Sequence, residues 1–313
     1  METDTWLGLE LRHLIALKAI AEKGTFSRAA ASLGYTQSAV SQQIATLERI
    51  VGQRLIDRPG GPRPVSLTEA GELLLRHADA IAARLSAAQA DLAALDAGES
   101  GPLRIGTYQS VGARVLPALL REFSARWPDV EVTLQESADD RDLIRQVERG
   151  ELDLTFVVLP IDPGPWETVE LFRDPYVLVV PTGSPLAARD RAPSLRELLD
   201  QPLISNRTCR TTQRVEERLR HAGRDPHIAF RSDDNGTVQG LVAAGVGIAI
   251  VPRLTVDETD KAIRVVDLGD RVPPRLIGLA WHRDRRRTRA AQGFAELAQA
   301  MTAELDAAAE AAA

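Results

Sequence analysis

The sequence predicts a chain in three parts: a small helical N-terminal domain with a basic wing, one long helix, and a C-terminal α/β domain built of two subdomains. Three observations carry this. Apolar residues recur at helical spacing over residues 9–47, and an apolar seam runs without glycine or proline over residues 74–95. Beyond a Gly-, Ser- and Pro-bearing stretch at 96–102, short β-rich runs alternate with amphipathic helices. A length of 313 residues suits two or three units with cores of their own.

Composition narrows the class. With 44% hydrophobic and 26% charged residues the chain reads as an ordinary globular protein. Its longest apolar run, residues 241–251, is far short of the ~20 residues a spanning helix needs. The start Met1-Glu2-Thr3-Asp4 lacks the basic head of a signal peptide, so no membrane or secreted role is expected. The single cysteine, Cys209, excludes an intrachain disulfide and a CxxC pair, and a reducing cytoplasm is the expected compartment. The net charge of −6 is unevenly spread. Up to residue 66, eight Lys/Arg face six Asp/Glu, a surplus of two that leaves −8 for the remainder. One DNA-contacting module attached to an acidic body is compatible with that asymmetry.

In the first part Leu11, Leu14, Ile15, Leu17 and Ala21, then Ala29, Ala30 and Leu33, then Val40, Ile44 and Leu47 mark three short helices. Gly24 ends the first, Thr25 or Ser27 caps the second, Gly34 supplies a tight turn and Thr36 caps the third. Residues 53–65 break the pattern with Pro59, Gly60, Gly61, Pro62 and Pro64 among Arg54, Arg58 and Arg63, as expected of a basic loop or wing. A long helix follows, with Glu69 and Glu72 in its first turn where the helix dipole favours them. About 28 residues at 1.5 Å each make it roughly 40 Å long, and its Leu/Ala seam calls for a partner helix.

The third part reads as strands at 103–106, 130–134 and 152–158 separated by helices near 113–126 and 140–149. Strands at 176–180, 202–205 and 247–251 follow, with helices near 195–199, 211–222 and 237–244. This alternation is the mark of a parallel sheet with crossover helices. The strand at 276–281 is placed to return to the first subdomain and form a hinge with residues 157–160. The expected divisions are residues 1–66, 67–97, a linker at 98–102, and 103–305. Within the last, 103–160 and 276–305 form one subdomain, 176–272 the other, and 161–175 return on the first before the crossover. The Ala-rich end after residue 305 is expected to fray or be disordered.

The strongest motif is Ala29-Ala30-x-x-Leu33-Gly34-Tyr35-Thr36-Gln37-Ser38-Ala39-Val40-Ser41-Gln42-Gln43-Ile44-x-x-Leu47-Glu48. Its buried positions leave Thr36, Gln37, Ser38, Ser41 and Gln42 on the outer, N-terminal surface of the third helix. Such a helix fits a major groove, where amides read adenine and hydroxyls reach base edges or phosphates. A plain three-helix packing unit with a solvated polar face is the alternative; the basic wing weighs against it.

With these residues in view, residues 9–71 closely resemble the winged helix-turn-helix of LysR-type transcriptional regulators. The resemblance rests on Thr25-Phe26-Ser27-Arg28-Ala29-Ala30, the motif above, Gly52-x-Arg54-Leu55, Arg58 and Leu67-Thr68-Glu69-Ala70-Gly71. It continues to about residue 300. It implies an N-terminal DNA-binding domain, a dimerising linker helix, and an effector domain similar to periplasmic binding proteins. Ile56 stands where the family often has Phe, and Gln42 where it often has Arg, which removes one expected phosphate or guanine contact. The Pro-rich wing also departs from the usual pattern. The implied partners are double-stranded promoter DNA, a small-molecule effector for which a carboxylate is suited, and further copies in a homodimer or homotetramer.

In the wing, Arg54 and Arg58 are candidates for phosphate or minor-groove contact, or else pair with Asp57 or Glu48. In doubly wound sheets, ligands sit beyond the carboxyl ends of strands, facing helix N-termini. That places Thr107 and Ser110, Ser205 and Thr208, and Asn235 and Thr237 as effector contacts, Ser110 by resemblance at the family's first-strand contact. Each hydroxyl would equally serve as a helix cap. Cys209, between Arg207 and Arg210, invites a redox reading, but with no second cysteine a small cleft-lining residue is the plainer one.

The histidines His13, His77, His221, His227 and His282 lack HxxxH or HExxH spacing, so no metal is expected, and no cofactor either. Arg283, Arg285, Arg286, Arg287 and Arg289 read as a solvated turn rather than a second nucleic-acid patch. GxSxG, GxxxxGK[ST] and a strand-linked GxGxxG are missing from the sequence, so no catalytic residues are expected. A cytosolic small-molecule-binding protein without DNA contact is the rival, and it leaves residues 36–48 and the long helix without a purpose.

Overall fold

The computed structural model describes residues 5–57, 65–97, 101–188, 192–207 and 210–311. Arg58, Arg63, Thr208 and Cys209 lie outside the described residues. The chain forms two compact units, Met1–Ser86 and Ala87–Ala313.

In the first unit a 3₁₀ turn, Thr5–Gly8, leads into α1 (Leu11–Lys23), α2 (Phe26–Leu33) and α3 (Gln37–Val51). The expected caps are present. The Thr25 hydroxyl accepts from the Arg28 N–H and the Thr36 hydroxyl from the Ala39 N–H, both at 3.2 Å, while Gly24 and Gly34 close α1 and α2. Two short antiparallel strands, β1 (Ile56–Asp57) and β2 (Ser66–Leu67), form the base of the wing, and α4 (Glu69–Ala97) follows. Leu17, Ile20, Ala29, Val40, Ile44, Leu47 and Leu55 form a core that α4 completes with Leu74 and Ala78. Each Val, Leu or Ile side chain among them, fully buried, is worth about 1.5–3 kcal/mol. Leu11 and Ile15, part of the apolar pattern of α1, are exposed instead. The α4 seam also divides: Leu74 and Ala78 turn into this core, whereas Leu73, Ile81, Leu85 and Leu92 are exposed.

The second unit carries two lobes. In the first, β3 (Leu103–Thr107) leads to α5 (Gln109–Arg114) and α6 (Leu116–Arg126), β4 (Val132–Glu136), α7 (Asp140–Glu148), β5 (Leu154–Leu159) and β6 (Trp166–Asp174). The chain crosses to the second lobe at Pro175 and forms β7 (Tyr176–Pro181), α8 (Leu195–Leu198), β8 (Leu203–Ser205), α9 (Arg210–Ala222), β9 (Ile228–Arg231), α10 (Asn235–Ala243), β10 (Ala249–Pro252) and β11 (Ile263–Asp267). It returns with β12 (Arg275–His282) and α11 (Arg289–Ala311).

The sheets are mixed rather than wholly parallel. The first has the order β4-β3-β5-β12-β6: β3 runs parallel to β4 and β5, and β12 antiparallel to β5 and β6. In the second lobe, β7 pairs antiparallel with β10 and β11, and β8 pairs parallel with β9. The expected pairing of β12 with residues 157–159 is present; β6 returns along the other side of β12, and the outward crossing follows at Pro175. The first lobe's core centres on Phe294, edge-on to Phe123 at 5.4 Å and to Phe156 at 6.4 Å. Packing of this kind adds about 0.5–1.5 kcal/mol per pair to the area buried.

The far half of α4 lies on this lobe. Gly150 (φ 73°) sits where a Cβ would come within 2.9 Å of the Ala87 Cα. Arg285 donates to Asp91 at 3.1 Å and to the Leu152 carbonyl at 3.1 Å. The arginine run is therefore only partly a solvated turn: Arg285 is buried in this ion pair, and Arg287 lies 4.3 Å from the Trp281 ring centroid. Among the described residues no helix is long and apolar enough to cross a membrane.

Candidate functional site

On α3 the inward positions Val40, Ile44 and Leu47 are wholly buried, which fixes the rotation of the helix. Thr36, Gln37, Ser38 and Gln42 are then exposed and Ser41 half-buried, all at the N-terminal half. Thr36 and Ser38 share a hydroxyl–hydroxyl hydrogen bond of 3.0 Å. Arg54 is exposed and has no ion-pair partner among the described residues. Glu48, a possible partner for it by sequence, instead accepts from the backbone N–H groups of Leu55 and Ile56. Arg58 falls outside the described residues.

In the second unit a cleft of about 310 Å³ opens between the two lobes. Tyr108, Gln109, Ser110, Glu136, Asp140 and Val158 line it from the first lobe, and Asn206, Asp233, Asp234, Asn235 and Thr255 from the second. A volume near 300 Å³ is at the lower end for small-molecule sites. Arg275, at the first residue of β12, lies at its floor, 7% exposed. Its Nε donates to Asp174 Oδ2 at 2.7 Å and its Nη2 to the Ser110 hydroxyl at 2.8 Å. Since Ser110 Oγ accepts from Arg275, its own proton is available for an acceptor. Burial pushes the Asp174 carboxyl above its usual range, against the pull of Arg275. Burial disfavours charge on Arg275, but the adjoining Asp174 outweighs it and holds the guanidinium protonated.

Gln109 spans the cleft. Its Nε2 donates to Asp234 Oδ2 at 2.9 Å, and its Oε1 accepts from the Asn235 N–H at 2.9 Å. These bonds from Gln109, with those from Thr237, hold the Asp234 carboxyl below its usual range. Arg114 adds a second link through the Val256 carbonyl at 3.0 Å.

Of the residues expected to meet an effector, Ser110 and Asn235 line the cleft. Thr107 is buried at the end of β3 with its hydroxyl toward the Tyr108 carbonyl. Ser205 donates to Glu216 at 2.6 Å, within a network where Arg231 binds the same carboxylate at 2.7 and 2.9 Å. Burial works to raise the Glu216 carboxyl, but the bonds from Arg231 and Ser205 prevail and lower it. Thr237 is exposed in the first turn of α10, its N–H taken by Asp234, and does not line the cleft. Thr208 lies outside the described residues.

Sequence reasoning passed over Arg275. A signal for Arg275 existed: it alternates in phase with Ile277, Leu279 and Trp281, all facing the core, so extending the strand by one residue turns the arginine inward. Among the described residues no group of His, Cys, Asp and Glu is placed to hold a metal.

A three-helix unit with an outward polar helix, joined by one continuous helix to a two-lobed domain with a cleft, defines the class of ligand-responsive DNA-binding regulators. Residues 11–72 match the model of the bacterial regulatory helix-turn-helix protein, lysR family, and residues 96–303 that of the LysR substrate binding domain. The chain belongs to the LysR family of transcriptional regulators. It is 33% identical over 246 residues to the HTH-type transcriptional regulator YofA of Bacillus velezensis, covering 78% of this chain and 81% of that one. It is also 33% identical over 301 residues to a probable hydrogen peroxide-inducible genes activator of Streptomyces viridosporus, covering 93% of each. Among solved structures, full-length CbnR complexed with its target DNA shares the fold, with a TM-score of 0.62 at 24% identity over 93% of this chain and 99% of that one. The protein is thus a DNA-binding transcriptional regulator with an effector-binding C-terminal domain, not an enzyme.

Proposed function

We propose that Thr36, Gln37, Ser38, Ser41 and Gln42 read promoter DNA in the major groove, with Arg54 and Arg58 on phosphates or in the minor groove. The observation that carries this reading is the rotation of α3: its apolar side is wholly buried, so its amides and hydroxyls face outward together. The exposed stripe of Ile81, Leu85 and Leu92, at spacings of four and seven, supports pairing of two copies through α4 in a dimer or tetramer. The site of action is the cytoplasm, where promoter DNA is found.

The effector is a small carboxylate bound between the lobes, with Ser110, Arg275 and Asn235 as contacts. Support comes from Arg275, the sole Lys or Arg among the described lining residues, and from the free Ser110 proton. Carboxylates at the rim favour a ligand that is neutral or cationic beyond that one group. Binding shifts the population between two arrangements of the assembled subunits and so the spacing of paired recognition helices. Its energy is bounded by the ligand's differential affinity, typically about 1–3 kcal/mol.

Replacing Gln37 by Ala should relax preference at one base pair per half-site by about 1–3 kcal/mol on a duplex selected from a random pool. Equal losses on the selected and a scrambled duplex would contradict its role.

A further inference from the structure

The segment between the recognition helix and the wing is held by a carboxylate that the reading above leaves without a task. One turn before α3 ends, Glu48 directs Oε1 to the backbone N–H groups of Leu55 at 2.9 Å and Ile56 at 3.3 Å. From the other side, the Thr68 hydroxyl donates to the Arg54 carbonyl at 2.7 Å and accepts from the Gly71 N–H at 3.1 Å. The Thr68 N–H donates to the Leu55 carbonyl at 3.0 Å. At Gly71 a Cβ would stand 2.1 Å from the Leu55 oxygen, so only glycine lets α4 approach this closely. The peptides of residues 54–56 are thereby gripped through their N–H groups by α3 and through their carbonyls by the start of α4. Arg54 projects from this segment.

We propose that Glu48 is a positioning residue for DNA binding: it fixes strand β1 and Arg54 against the recognition helix, so that the base-reading face and the phosphate contact engage one duplex together. The proposal rests on the assignment of Arg54 to the DNA backbone. Glu48 does not itself touch DNA; its work is that of an acceptor for two buried N–H groups, which a carboxamide performs equally and a methyl group does not. Both N–H groups converge on a single oxygen, so Glu48→Gln retains the grip.

The test uses the full-length protein with Glu48→Gln, Glu48→Ala, Thr68→Val and Arg54→Ala. The probes are a duplex selected by the wild type from a random pool and a scrambled duplex, titrated by fluorescence anisotropy at several salt concentrations. Glu48→Ala should weaken binding to the selected duplex at least about tenfold and reduce the salt slope by about one per module, as Arg54 leaves its phosphate. Glu48→Gln should stay within about twofold of the wild type. Hydrogen exchange at Leu55 and Ile56 should accelerate in the alanine variant and not in the glutamine one. A folded Glu48→Ala with wild-type affinity and slope overturns the proposal, as does a Glu48→Gln as weak as the alanine variant. Should Glu48→Ala not fold, Thr68→Val, which frees the same segment from the other side, must show the reduced slope; a wild-type slope there overturns it. A wild-type slope in Arg54→Ala would instead refute the assignment of Arg54, a failure told apart from that of Glu48 by the exchange data.

Discussion

Replacing Arg275 by Met tests whether the floor of the cleft is held by charge. The guanidinium and the Asp174 carboxylate are both almost wholly buried and meet at 2.7 Å. Removing only the arginine leaves a buried, uncompensated carboxylate, and breaking such a pair costs about 3–5 kcal/mol. Against a typical domain stability of about 5–15 kcal/mol that is a large share. Asp174 also accepts from the Leu254 N–H at 3.1 Å through its other oxygen, Oδ1. Asp174→Asn keeps that acceptor while discarding the charge, and Arg275→Met with Asp174→Asn should return to within about 1–2 kcal/mol of the wild type. The assay is urea unfolding followed by tryptophan fluorescence, since Trp127, Trp166 and Trp281 lie in the two-lobed domain. Burial already raises the Asp174 carboxyl, and a raised carboxyl costs stability as pH climbs through its folded value. The deficit of Arg275→Met relative to the wild type should therefore be greatest at neutral pH and shrink on acidification. A cost below about 1 kcal/mol at neutral pH, or a deficit that persists in acid, would refute the reasoning.

Two further outcomes follow from the cleft and the lobe beneath it. Gln109→Ala removes both hydrogen bonds to the α10 start, so the Asp234 carboxyl, followed by NMR titration, should rise toward the ordinary range; an unmoved titration would show that Gln109 does not bridge the lobes. Glu216 is held below the ordinary glutamate range, so its share of stability is present above that range and lost as pH falls through the lowered value. Glu216→Gln should cost about 1–2 kcal/mol at neutral pH, discounted for the partly exposed Arg231, and flatten the acid limb of thermal unfolding; an acid limb identical to the wild type would contradict it.

The helical first unit was largely legible because local signals decide it: Thr25, Thr36, Gly24 and Gly34 each stop or start a helix through their own backbone chemistry. The strands β6, β9 and β11 were not read, and for β6 the reason is a distant pairing partner: it carries Glu167, Glu170 and Arg173 on a partly exposed face, and its stability comes from β12, some hundred residues on. The same distance hid part of the cleft. A hydroxyl at a strand end, such as Ser205, looks identical in sequence whether it faces a ligand or a buried carboxylate; only the placement of Glu216 and Arg231 tells which. Arg275 was missed by one residue of strand boundary, the least reliable part of any pattern reading.

Gly150 bears on how a message leaves the ligand domain. With no side chain to keep it off, the backbone there abuts Ala87, and Arg285 pins Asp91 close by. The distal end of the rod is thus riveted to the lobe whose strand β12 begins at Arg275. Movement of that lobe therefore carries residues 87–91 of the helix with it.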